Sequence, residues 1–209
     1  MSVRARRFII GYFDTEKNCD EYEKMADGYD GRELIEKLGD FISQGNSVLE
    51  LGMGPGKDLD ILCEMYQATG SDMSEVFVRR YRNRVPDADV LVLDAVSLDT
   101  KVQYDAIYSN KILHHLTKDE LGKSLKRQAQ VVKVGGYLLH SFWHGDKIEK
   151  HEDLLFNYYT IQTLKKYIPE DLEVVHFEIY TEMDVDDSLL VIFRRREKLE
   201  PVNETVIAT

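Results

Sequence analysis

From Asn46 to Trp143, short apolar runs alternate with stretches whose apolar residues return every three or four positions. The first signature suits a buried strand and the second an amphipathic helix. "SVLEL", closed by Gly52, predicts a first strand; "KDLDILCEMY" predicts a helix with Leu59, Leu62, Cys63 and Tyr66 on one face. "QATGSD" predicts a short second strand ending at Asp72. "SEVFVRRYRNRV" predicts a helix capped by Ser74 and stopped by Pro86. "DVLVLDA" reads as a third strand ending at Asp94, and "YDAIYSN" as a fourth ending near Asn110. "KDELGKSLKRQAQVV" reads as a helix starting near Thr117 or Asp119, and "GGYLLHSFW" as a fifth strand entered through Gly135 and Gly136. After a helix in "IQTLKKYI", capped by Thr160, "LEVVHFEIY" and "SLLVIFRRR" have no helix between them. They read as an antiparallel pair at a sheet edge.

Alternation of this kind predicts an α/β fold: a Rossmann-like, seven-stranded, mostly parallel sheet with helices on both faces and an antiparallel C-terminal edge hairpin. The 209 residues fit one domain, 1–209. Within it, 1–45 reads as an N-terminal helical lid, 46–196 as the core, and 197–209, a polar stretch containing Pro201, as a flexible tail. Ligands of such sheets bind beyond the carboxyl ends of the strands, where the strand order reverses. Those ends carry Glu50, Asp72, Asp94 and Asn110.

Composition narrows the partners. Hydrophobic residues make up 43% and charged residues 31%, as in a globular chain. No apolar stretch approaches the ~20 residues of a membrane span. The basic start has an apolar run only from Phe8 to Ile10, too short for a signal peptide. Cys19 and Cys63 form neither a disulfide framework nor a zinc spacing, so they read as reduced thiols of a cytoplasmic protein. The net charge of −11 opposes a phosphate backbone, and the four arginines of "RRYRNR" read as a solvated helix surface. A small molecule or a protein partner fits this balance better than nucleic acid or membrane.

The stretch "LELGMGPGKD" decides which nucleotide the strand ends would hold. A dinucleotide fingerprint needs a glycine at position 57, and Lys57 stands there; Asp58 then breaks the phosphate-cradling G-K-[ST] ending. Glu50, two residues before Gly52, would repel a diphosphate and suits an ammonium group. The segments "LELGMGPGKD", "GSDMS", "LDAVSL", "YDAIYSNKILHHL" and "VVKVGGYLL" resemble the class I S-adenosylmethionine-dependent methyltransferases, of the small-molecule type and similar to methyltransferase domains 11 and 25. Val134 stands where that family usually has a proline before its two glycines.

The resemblance implies S-adenosyl-L-methionine as cofactor. It places Glu50, Leu51, Gly52, Met53, Gly54 and Gly56 around the methionine part, Asp72 on the ribose hydroxyls and Met73 against the adenine. Asp94 and Ala95 fall beside the adenine ring, and Ser109 and Asn110 at the end of the fourth strand. A sulfonium, an ammonium and a ribose diol suit carboxylates, and glycines let the backbone approach.

Methyl transfer is an in-line displacement in which the enzyme mainly positions and desolvates its substrates. A base is needed only if the nucleophile must lose a proton. His114 and His115 follow the fourth strand; His115 is the candidate catalytic group, with His114 on the substrate side. His140 and His144 would share one face of an extended strand, but no carboxylate pattern supports a metal, and none is expected. Tyr22 and Tyr29, seven apart, share a face if their helix continues, and would cover the cofactor or pack in the core. The aromatic insertion after the fifth strand offers Trp143, Phe156, Tyr158 and Tyr159 as acceptor-site walls. The expected activity is methyl transfer to a small acceptor. A protein or RNA methyltransferase, or a cofactor-binding protein without transfer, are the alternatives. A homodimer stays open.

Overall fold

The computed structural model describes residues 11–151 and 154–197, so most of the proposed tail, the first ten residues, and Glu152 and Asp153 lie outside the described residues. The chain order is α1 (Glu16–Met25), α2 (Arg32–Leu38), β1 (Ser47–Leu51), α3 (Lys57–Met65), β2 (Gln67–Asp72), α4 (Glu75–Arg84), β3 (Val90–Val92) and β4 (Tyr104–Ser109). It continues with α5 (Lys118–Val131), β5 (Val132–Trp143), β6 (Ile148–His151), β7 (Leu154–Asn157), α6 (Ile161–Leu164), β8 (Leu172–Tyr180) and β9 (Ser188–Arg195). Seven strands form one sheet in the order β3-β2-β1-β4-β5-β9-β8, and β6 pairs with β7 alone. The first five strands of the large sheet are parallel; β9 and β8 run antiparallel at one edge.

The period-two alternation of strand side chains divides the core. Leu49, Leu51, Ile107, Leu138, Val191 and Phe193 pack on one face beneath Leu121, Leu125 and Ala129 of α5. Val48, Ala106, Tyr108, Leu139 and Ile192 pack on the other, beneath Leu34, Ile35 and Leu38 of α2 and Ile61 and Leu62 of α3. Each fully buried Leu or Ile contributes about 1.5–3 kcal/mol of transfer free energy. Because the polypeptide leaves β1 towards β2 on one side and pairs it with β4 on the other, a crevice opens beyond the carboxyl ends of β1 and β4.

Caps set the helix starts. Thr15 accepts from Asn18, Ser74 from Phe77 and Thr117 from Glu120, the last in a reciprocal box with the Glu120 carboxylate.

Four local expectations need correction. Cys63 is exposed, and α3 buries Asp58, Leu59, Ile61 and Leu62 instead. The third strand stops at Val92, short of Asp94. The fifth strand begins at Val132, ahead of its glycines, and absorbs them in an irregularity where pairing jumps from Tyr104↔Val132 to Ala106↔Tyr137. The insertion after β5 is not a bare loop: Ile148–His151 pairs antiparallel with Leu154–Asn157.

Candidate active site

The turn from β1 into α3 carries Gly52, Gly54 and Gly56, all at positive φ. Their surroundings differ. A Cβ at Gly52 would lie 1.9 Å from Ile112, and one at Gly56 would lie 2.1 Å from the Tyr81 ring, so these two permit tight packing of the protein on itself. A Cβ at Gly54 would meet only Tyr22, at 3.5 Å. Gly54 is therefore where the turn leaves room, with Tyr22 above it.

Carboxylates crowd this turn. Asp72, at the end of β2, accepts from the Gly54 amide at 2.9 Å and the Ser74 amide at 2.8 Å. Glu50 is 2% exposed, and its Oε2 has no hydrogen-bond partner among the described residues. Burial, then the charges of Asp58 and Asp72, push its carboxyl well above the ordinary range. Burial likewise raises Asp72, against the pull of its amide donors. Burial and then the same acidic group push the Tyr22 phenol up to about 12. A buried, unpartnered carboxylate is costly unless a cation meets it, and an ammonium does that. The donor set thus fits the α-ammonium and diol of S-adenosylmethionine and does not fit a diphosphate.

Asp58 is the residue the sequence reading missed. It accepts from the Tyr108 hydroxyl at 2.7 Å, the Gly31 amide at 2.7 Å and the Asn110 side-chain amide at 3.2 Å. It ties the α2 entrance, β4 and α3 together directly beside Glu50. Its position two residues beyond the third glycine was the available signal, and it was used only to reject a phosphate cradle.

The remaining candidates fall into groups. Leu51 and Met53 are 1% and 4% exposed, so their side chains belong to the core. Ser109 is fully buried, with its hydroxyl 2.8 Å from His140 Nδ1. Asn110 Oδ1 accepts from Ser141 at 2.6 Å. Met73 is exposed. Asp94 is exposed in the turn after β3, its carboxylate accepting from Val96 and Ser97, and the Ala95 carbonyl accepts from Ser124. Tyr29 is corrected: α1 ends at Met25, so Tyr29 does not share the helical face of Tyr22 and is 50% exposed.

The arginine run is more than a solvated surface. Arg80 of the arginine run is a clamp: it bonds Glu16, Asp20 and Glu23 of α1, and Arg79 joins at Glu16. Lys57 donates to the Ala26 carbonyl at 2.8 Å. Both hold α1, and with it Tyr22, over the glycine turn.

On the other side of the crevice the hairpin β6–β7 packs on the turn Leu113–His115. His114 is 2% exposed, neither ring nitrogen has a partner among the described residues, and its ring stacks on Phe156 at 5.3 Å. His115 Nδ1 donates to the Leu155 carbonyl at 2.7 Å. Burial lowers both imidazoles. Trp143, Phe156 and Tyr158 line a cavity of ≈ 460 Å³ together with Glu149, Lys150 and His151. Tyr159 is 1% exposed and packs on Phe142 at 5.3 Å, inside the core rather than at the cavity. His140 and His144 make separate contacts, with Ser109 and the Asp186 carbonyl.

Residues 48–136 match the family model described as a methyltransferase domain. That segment, rather than the whole chain, is what the methyltransferase-domain model covers. An uncharacterized methyltransferase of Geobacillus sp. (strain WCH70) is 30% identical over 140 residues, 62% of this chain and 64% of that protein. The tRNA (carboxymethyluridine(34)-5-O)-methyltransferase of Arabidopsis thaliana is 31% identical over 108 residues, 51% of this chain and 26% of that protein. The chain therefore spans under two thirds of the length of both relatives. In fold it is similar to the 1,6-didemethyltoxoflavin-N1-methyltransferase of Burkholderia thailandensis, solved with its substrate and S-adenosylhomocysteine. The TM-score is 0.71 at 19% identity, covering 85% of this chain and 83% of that one. Among the described residues, no helix is long and apolar enough to cross a membrane.

Proposed function

We infer that this methyltransferase transfers the methyl group of S-adenosylmethionine to a small-molecule acceptor. The observation that carries the cofactor assignment is Glu50 Oε2, buried without a hydrogen-bond partner among the described residues and near enough to Asp58 and Asp72 to feel their charges. When bound, the cofactor supplies an electrophilic methyl on a sulfonium centre. Glu50 would hold the ammonium, Asp72 the ribose hydroxyls and Asp94 the adenine amino group. Tyr22 would close over Gly54 and exclude water.

His115 would take a proton from the nucleophile. A carbonyl cannot donate, so the bond to Leu155 puts the imidazole proton on Nδ1 and leaves the Nε2 lone pair free in the neutral ring. Its lowered pKa keeps that ring neutral near pH 7. A tRNA acceptor is the second reading, favoured by the similarity to the Arabidopsis tRNA methyltransferase. The net charge of −11 disfavours it, and the small aromatic cavity supports a compact substrate. Incubation with S-adenosylmethionine and either a metabolite pool or total tRNA tests the choice. S-adenosylhomocysteine released only with tRNA would overturn the small-molecule reading.

A further inference from the structure

The cavity lined by Trp143, Phe156 and Tyr158 has a charge arrangement that selects among small molecules. Lys111 Nζ lies 3.8 Å from the Trp143 ring centroid, and Lys147 Nζ lies 4.3 Å from that of Tyr158. Neither lysine is among the residues that line the cavity, so the ammonium groups sit against these rings from outside it. Lys111 is held by Glu182 at 2.6 Å and Ser188 at 2.6 Å, and Lys147, on the surface, pairs with Glu149 at 2.7 Å.

A cation on one face of an aromatic ring consumes the negative quadrupole that would otherwise attract a second cation to the opposite face. The cavity also presents Lys150 and His151, while the Glu149 carboxylate is taken up by Lys147 and the Tyr158 hydroxyl, 3.0 Å away. We propose that this cavity binds a planar aromatic or heteroaromatic acceptor, neutral or anionic, stacked against Trp143 and Phe156, and that it rejects alkylammonium compounds. A volume of ≈ 460 Å³ lies within the range for small-ligand pockets and suits a molecule of a few fused rings. The inference rests on the methyl-transfer reading for the role of the occupant, but binding can be tested without turnover.

Trp143 is the only tryptophan in the chain, so its fluorescence reports the cavity directly. The protein is first saturated with S-adenosylhomocysteine, followed by calorimetry, then titrated with 6-hydroxyquinoline or with spermidine. The expected result is saturable quenching of Trp143 by 6-hydroxyquinoline at a Kd at least tenfold below that of spermidine. Phe156→Leu and Tyr158→Leu, which keep the reporter, should each weaken that binding several-fold, and Lys147→Met should narrow the preference by admitting the cation. Spermidine binding as tightly as 6-hydroxyquinoline, or 6-hydroxyquinoline leaving Trp143 unchanged while S-adenosylhomocysteine binds, overturns the acceptor class alone. A protein that does not bind S-adenosylhomocysteine removes the functional reading on which the proposal rests.

Discussion

Asp72 Oδ2 accepts a hydrogen bond from the Gly54 amide at 2.9 Å, joining the end of β2 to the open glycine of the turn after β1. One carboxylate therefore shapes the turn and is the group proposed to meet the cofactor diol. Asp72→Asn should weaken S-adenosylmethionine binding by about 1.5–3 kcal/mol, the worth of a hydrogen bond to a charged group. Calorimetry measures it, and an unchanged affinity would take Asp72 out of the site.

Glu50 is expected to trade stability for binding. Its folded-state carboxyl is raised, so the folded protein keeps a proton that the unfolded chain has released. The destabilisation is absent below the ordinary carboxylate range near 4.5 and grows as pH climbs through the raised value. Glu50→Gln should stabilise the ligand-free protein by about 1–3 kcal/mol at pH 8, and far less at pH 4, while weakening S-adenosylmethionine by tenfold or more. Denaturant unfolding at the two pH values is the check; equal effects at both would contradict the burial argument.

His115→Ala should lower kcat about 100-fold for an acceptor that must lose a proton, in line with removal of a general base. The acidic limb of the pH–rate profile should vanish with it. His114→Phe, which keeps a ring against Phe156, should leave that limb in place. A wild-type pH profile in His115→Ala would restrict His115 to anchoring Leu155.

Arg80→Ala removes the clamp between α4 and α1. The side chain of Arg80 is 27% exposed and holds three carboxylates at once, so the loss exceeds that of a lone surface pair, at about 1–2 kcal/mol. S-adenosylmethionine should dissociate faster because Tyr22 loses its support. Stopped-flow displacement reads this directly, and an unaltered dissociation rate would separate α1 from the site.

The parallel core was legible because each strand announces itself twice, by an apolar run and by the turn residue that ends it, as Val48–Leu51 does with Gly52. Tyr29 was misplaced because helical periodicity continues on paper past Met25, where the helix ends. The β6–β7 hairpin escaped notice because "IEKH" is exposed at every position and has no alternation to read. Asp58 escaped because a buried carboxylate on a helix face looks, in one dimension, like a solvated one. The Arg80 clamp depends on α1, which lies 57 to 64 residues away in sequence.

The most direct test of the account is calorimetric titration of the protein with S-adenosylmethionine and, separately, with NAD. The account predicts micromolar or tighter binding of S-adenosylmethionine, with protons released as Glu50 ionises against the ammonium, and no measurable heat with NAD. Binding of NAD without binding of S-adenosylmethionine would contradict it.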